Sequence, residues 1–206
     1  MKERSMTILY RVHNNLYVNL TNRCPCACTF CLRSIKNEME LSGSLWLEHE
    51  PSIQEVKDEF TNLDLSNYEE IVFCGFGEPT ERLHDLLEIA RFVKETYHKP
   101  TRLNTNGLAD LMYEKDTAPL FEGLIDTISI SLNTPNPEKY LELTRSKFGM
   151  KSFDAVLKFA QQAKKHVRHV VFTTVATTLT HEEEAMCQEI CDRIGVTYRI
   201  RPWESE

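Results

Sequence analysis

Short apolar runs alternate with amphipathic segments along this chain, and that alternation constrains its fold more than any other feature. Parallel strands cannot be joined by tight turns, so each needs a crossover that a helix supplies. The strand candidates are "LYVNL" (16–20), "EIVFC" (70–74), "TRLNT" (101–105), "DTISISLN" (126–133), "HVVFTTVA" (169–176) and "VTYRIR" (196–201). They make six repeats. Ahead of them "ILYRV" (8–12) reads as the first arm of a hairpin, turned at Asn14 and Asn15. Between the strands, Leu83, Leu86, Leu87, Ala90, Val93 and Tyr97 recur at helical spacing, as do Phe153, Val156, Leu157, Ala160 and Ala163. Both stripes are core. Two helix starts carry capping boxes, Ser52 with Glu55 and Thr180 with Glu183, in which side chains satisfy first-turn amides.

A chain of 206 residues with 41% hydrophobic and 27% charged residues suits one globular domain, taken here as residues 1–206. No low-complexity segment or linker interrupts it. The irregular stretch 36–51, "KNEMELSGSLWLEHEP", either covers a site or merely connects. The N-terminus lacks the apolar run of a signal peptide, and nowhere do eighteen apolar residues follow one another, so no membrane association and a cytoplasmic location are expected. A net charge of −7 argues against nucleic-acid binding, which relies on basic patches. The basic run "KKHVRH" (164–169) is the solvated end of a helix.

Against this ordinary background stands "RCPCACTFC" (23–31), which holds four of the seven cysteines. In a reducing compartment such crowding points to metal or redox chemistry rather than disulfides. Cys24, Cys28 and Cys31 have the spacing CxxxCxxC, close enough for one loop to wrap three thiolates around one inorganic cluster. Three ligands leave one iron open. An open position separates a reactive metal site from a closed structural one. Cys26, beside Pro25, reads as a bystander or a spare ligand. Cys74 lies in an apolar strand and reads as a small buried hydrophobe. Cys187 and Cys191 share a helical face with Met186, Ile190 and Ile194, which favours core packing over a second metal site.

In this cysteine loop the chain resembles the radical S-adenosylmethionine superfamily. That family's cysteine loop carries an aromatic residue before the last cysteine, as Phe30 stands here. "CGFGEP" (74–79) is similar to its glycine segment after the second strand, "NTNG" (104–107) to the segment after the third, and "SLN" (131–133) to the ribose-contacting segment after the fourth. One residue departs: Phe76 stands where the family has glycine. The resemblance implies a partial (β/α)6 TIM-like barrel of parallel strands, an α/β fold with a short N-terminal β-hairpin. It also implies that Cys24, Cys28 and Cys31 hold a four-iron four-sulfur cluster. S-adenosylmethionine would chelate the open iron, Glu78 would meet its amino group, and Asn133 its ribose. Phe30, Gly75, Phe76, Gly77, Asn104 and Ser131 complete the implied cofactor site. The implied reaction is reductive cleavage of S-adenosylmethionine to a 5′-deoxyadenosyl radical that abstracts hydrogen from an unidentified small-molecule or protein substrate, with an electron donor such as flavodoxin or ferredoxin. Within the family the chain is similar to short proteins encoded beside TatD-type hydrolases, on "TNRCPCACTFCLR" and "LWLEHEP", which makes such a hydrolase a candidate partner. A glycyl-radical activating enzyme is the alternative within the same chemistry, and a zinc-binding interaction module is the alternative outside it.

Strand geometry supports the placement independently. In barrels of parallel strands, sites form at the strands' C-terminal ends, where all three segments lie. On the fifth strand, counting the hairpin, Ile128, Ile130 and Leu132 alternate with Ser129, Ser131 and Asn133. The apolar set must pack on helices, so the polar set faces inward. The bland readings are equally concrete. Gly75 and Gly77 could serve a tight turn, Glu78 could favour a helix N-terminus, and Asn-Gly turns are common. On the last strand Val196, Tyr198 and Ile200 alternate with Thr197, Arg199 and Arg201. Arg201 then either meets an anion, from the substrate or S-adenosylmethionine, or points to water from a sheet edge.

Overall fold

The structure, a computed structural model, describes residues 5–35 and 43–202. Residues 36–42 of the irregular stretch therefore lie outside the described residues. The chain divides into two compact units, one of Met1–Cys24, Phe30–Asn104 and Leu124–Asp126, the other of Pro25–Thr29, Thr105–Gly123 and Thr127–Glu206.

In the first unit, β1 (Leu9–Val12) and β2 (Asn15–Val18) form an antiparallel hairpin. Asn15 is already in the strand. The turn is made by His13 and Asn14, with His13 in the left-handed region at φ 52°, so the turn sits one residue earlier than the sequence suggested. Next come β3 (Glu70–Phe73), parallel to β2, and β4 (Thr101–Thr105), parallel to β3. A short helix α1 (Leu32–Ile35) follows the cysteine loop. Helix α2 (Ile53–Thr61) starts at the Ser52–Glu55 capping box, and α3 (Leu83–Tyr97) returns the chain from β3 to β4. Leu86, Ile89, Ala90 and Val93 of α3 are fully buried, whereas Leu87 and Tyr97 are only half-buried. The stripe is rotated toward Ile89. Phe60 of α2 stacks with Phe92 and Tyr97 of α3 at centroid distances of 6.2 and 6.0 Å, which locks the two helices together.

The second unit holds β5 (Thr127–Ser131), β6 (His169–Val175) and β7 (Thr197–Arg201), paired in parallel in that order. Its helices are α4 (Ala109–Tyr113), α5 (Pro137–Thr144), α6 (Lys151–Ala163) and α7 (His181–Ile194). Helix α7 begins at the Thr180–Glu183 capping box. Ile128, Ile130 and Leu132 are fully buried, as are Val156, Phe159, Ala160 and Ala163 of α6. Phe159, outside the expected stripe, packs its ring against Phe121 at 6.2 Å. Cys187 and Cys191 are fully buried with Ile194, but Met186 is 50% exposed and does not share their face. Among the described residues no helix is long and apolar enough to cross a membrane.

Candidate cofactor site

The cysteine loop starts where β2 has ended, and its stem is fixed from several sides. Asn22 and Leu47 exchange two hydrogen bonds, Asn22 Nδ2 donating to Leu47 O at 2.8 Å and Leu47 N to Asn22 Oδ1 at 3.0 Å. Arg23 Nε donates to Glu50 at 2.7 Å, and Thr21 donates to the same carboxylate. Burial alone would raise the Glu50 carboxyl. Hydrogen bonds from Arg23 and Thr21, with the charges of Arg23 and Arg82, outweigh it and hold the group below its ordinary value. Arg82 reaches Leu20 O at 3.1 Å and Pro51 O at 2.6 Å. The described part of the irregular stretch, 43–51, is thus a brace laid along the stem. Spacing alone gave no signal for Arg82 or Glu50, because their partners are distant in sequence.

The loop itself is tied down by its backbone. Ala27 N donates to Thr144 O and Thr29 N to Leu143 O, both at 2.9 Å, which satisfies carbonyls at the C-terminal end of α5 that have no partner within the helix. Lys147 N donates to Pro25 O at 2.9 Å. Cys26 is buried, and Asn106 Nδ2 approaches its sulfur at 4.0 Å. Cys24, Cys28 and Cys31 are half-buried, and none of the loop thiols is in a disulfide. Phe30 is also half-buried. Among the described residues no three histidine, cysteine, aspartate or glutamate side chains are arranged to hold a metal ion.

The glycine segment explains itself by close approach. A Cβ on Gly77 would stand 2.2 Å from Thr21 O and 2.6 Å from Arg23 O, and one on Gly75 would stand 2.2 Å from Asn19 Oδ1. Neither glycine has positive φ, so room against the stem, not a special turn, is what they provide. Phe76 turns its ring into an apolar cluster with Tyr10 and Leu45 and meets Trp46 edge-on at 5.4 Å. Cys74 is only half-buried, at the exit of β3, and not the buried hydrophobe expected. Glu78 is 4% exposed. Its Oε1 accepts from Thr80 N at 3.1 Å and Thr80 Oγ1 at 2.7 Å, capping a short 3-10 helix over Pro79–Arg82, while Glu78 N donates to Arg23 O at 2.8 Å.

At the other segments, polar atoms are buried without partners. Asn104 Oδ1 is one, and Asn133 Oδ1, on a residue held at φ 65°, is another. Asn19 Oδ1 is a third that sequence reasoning did not single out. Such atoms cost free energy unless a ligand or water satisfies them. Asn106 instead caps its own turn, Oδ1 accepting from Leu108 N at 2.9 Å. Gly107, at φ 76°, needs both its left-handed backbone and its missing Cβ, which would meet Ile130 Cγ2 at 2.8 Å. Ser131 is half-buried at the end of β5. Cys187 and Cys191 lie away from this chemistry: burial pushes their thiols up to about 11 and about 12.

The chain is an α/β protein with a cysteine-rich loop and unpartnered buried oxygens at strand exits. A family model described as the Radical SAM superfamily matches residues 18–193. The chain belongs to the Radical SAM superfamily. The GTP 3',8-cyclase of Corynebacterium glutamicum (strain R) is 32% identical over 143 residues, covering 66% of this chain and 35% of the cyclase. The chain thus spans about a third of that curated relative's length. The crystal structure of Streptococcus suis SuiB bound to precursor peptide SuiA matches with a TM-score of 0.66 at 16% identity, covering 96% of this chain and 41% of SuiB. SuiB bound to S-adenosylmethionine matches at 0.65 and 17% identity, covering 93% of this chain and 41% of SuiB. At these identities the likeness is one of fold, the partial TIM-like barrel with an N-terminal hairpin. Membership brings the superfamily's cofactors, a four-iron four-sulfur cluster and S-adenosylmethionine. The donor chemistry fits them, since the loop supplies three half-buried thiols free of disulfides.

Proposed function

We propose that residues 1–206 act as a single radical S-adenosylmethionine domain, an enzyme in the cytoplasm that abstracts hydrogen from its substrate. The observation that carries this reading is the trio of half-buried thiols, none of them in a disulfide, at CxxxCxxC in a chain the family model matches over 18–193. Cys24, Cys28 and Cys31 are the ligands, and buried Cys26 is an anchor of the loop rather than a fourth ligand. When bound and reduced by one electron, S-adenosylmethionine on the open iron supplies the 5′-deoxyadenosyl radical.

The chain's own part is positioning. Gly75 and Gly77 let the glycine segment lie against the stem, so its backbone can present hydrogen-bond groups to the methionine moiety. Phe76 fixes that segment through the cluster around Trp46 and acts through its backbone. Glu78 receives the amino group of the cofactor, with Thr80 holding its carboxylate in place. Asn133, Ser131 and Asn104 offer polar atoms to the ribose and adenine, and the unpartnered oxygens of Asn104 and Asn133 favour that role. Phe30 shields the cluster from water. A protein such as flavodoxin or ferredoxin delivers the electron. The relatives' name makes a purine nucleotide one substrate to try first, and a TatD-type hydrolase is a candidate partner.

The test is anaerobic reconstitution followed by reduction with S-adenosylmethionine present. Slow formation of 5′-deoxyadenosine without substrate is expected. A protein that binds zinc, stays colourless and yields no 5′-deoxyadenosine would sink the proposal in favour of an interaction module.

A further inference from the structure

The second unit places a cation on its polar strand face, and among the described residues no carboxylate pairs with it. The register pairs Ser131 with Thr173, Thr173 with Arg199, and Val175 with Arg201, so these side chains share one face. The opposite face is settled by packing. Tyr198 bonds Thr174 at 2.7 Å and interacts with the buried Cys187 of α7, which puts the Tyr198 side of β7 toward the helix. Arg199 and Arg201 therefore leave the strand on the other side, yet they differ. Arg199 is exposed, whereas Arg201, at the C-terminal end of β7, is partly buried. Its Nε is buried and has no hydrogen-bond partner, and among the described residues Arg201 forms no ion pair.

An edge-strand arginine that merely deters sheet pairing keeps its guanidinium in water. A guanidinium stays charged at any ordinary pH, and leaving one of its donors buried and unpaired is costly unless an acceptor arrives. Its fork matches a carboxylate or phosphate with two parallel bonds. We infer that Arg201 is the receptor for an oxyanion, a carboxylate or phosphate group of the molecule bound at the C-terminal ends of β5, β6 and β7. The inference deepens the proposed function by fixing the charge of a ligand at that site. Two sources share this chemistry, the carboxylate of S-adenosylmethionine and an acidic group on the substrate.

The experiment measures binding to the reconstituted full-length protein and to Arg201→Lys, Arg201→Gln and Arg199→Lys. The probes are S-adenosylmethionine, 5′-methylthioadenosine, which lacks the carboxylate, and inorganic pyrophosphate. Lysine keeps the charge and loses the fork, so about tenfold weaker binding is expected in Arg201→Lys, and a greater loss in Arg201→Gln. Loss for S-adenosylmethionine but not 5′-methylthioadenosine assigns the anion to the cofactor. Loss for pyrophosphate alone assigns it to the substrate. Arg199→Lys should bind all three as the wild type does. Unchanged binding of every probe in both folded Arg201 variants, checked by thermal melting, overturns the inference. Iron and sulfide are assayed in the same samples. A wild type that assembles no cluster contradicts the proposed function, while pyrophosphate binding still reports on Arg201.

Discussion

The cysteines at 24–31 and those at 187 and 191 are the same residue in opposite settings. On α7, helical backbone, full burial and apolar neighbours hold Cys187 and Cys191 as neutral thiols, their ionisation pushed to about 11 and about 12. In the loop, Cys24, Cys28 and Cys31 are half-buried on irregular backbone that other segments hold in shape. The thiolate is the form that ligates metal, and burial in apolar surroundings disfavours it. Bonds to Thr144, Leu143 and Lys147 tie down the loop backbone, whereas on α7 burial encloses both sulfurs.

Replacing Cys28 or Cys31 by alanine should remove most cluster iron and sulfide, while Cys26→Ala and Cys191→Ala should keep them. Metal and sulfide assays on anaerobically purified variants read this directly. Retention in Cys28→Ala with loss in Cys191→Ala would invert the comparison.

Gly77→Ala asks whether the loop's setting is imposed by the stem. The added methyl meets two backbone carbonyls that cannot swing away. A loss of about 1–3 kcal/mol in chemical denaturation is expected, with reduced cluster occupancy. Normal stability and full occupancy would show that the stem is not rigid.

Cys191→Ala tests the other side. A buried sulfur is lost and a small void remains, so about 1–2 kcal/mol of stability should go with no change in the iron content. In the folded apo-protein an alkylating reagent at neutral pH should modify Cys24, Cys28 and Cys31 and spare Cys187 and Cys191. Rapid labelling of the helix pair would contradict their burial.

The smallest effect concerns pH. A hydrogen bond from Lys139, then one from the Thr180 backbone, holds Glu183 below its ordinary 4.5. A carboxylate whose folded value is depressed stabilises fully above its unfolded value, and that contribution disappears as pH falls through the folded one. The protection of amides in the first turn of α7, taken relative to the intrinsic exchange rate at each pH, should therefore fall as pH drops below about 4.5, and Glu183→Gln should flatten that dependence. A first turn that exchanges identically in both proteins would show the cap to be inert.

Much of this was legible from local pattern. β4 falls on the expected residues, β3, β6 and β7 shift by at most one residue at an end, and both capping boxes form. Those features depend on neighbours within a few positions. The hairpin turn misread because Asn14 and Asn15 were the better turn formers by type, whereas the left-handed residue is His13. Met186 misread because a short helical pattern fixes the buried face only loosely. The glycines' purpose was hidden altogether. Their partners, Asn19, Thr21 and Arg23, lie on another strand's exit, and no local spacing reports such an approach. Likewise the orphaned oxygens of Asn104 and Asn133 became visible only when their surroundings were known.

The central claim is that three loop thiolates hold a cluster with one iron left open. Electron paramagnetic resonance of the reduced, reconstituted protein, recorded with and without S-adenosylmethionine, tests it most directly. The account predicts a cluster signal that shifts on addition of S-adenosylmethionine, in the wild type and in Cys26→Ala alike. A signal that S-adenosylmethionine leaves unchanged in both proteins would mean that no iron is open and would contradict the account.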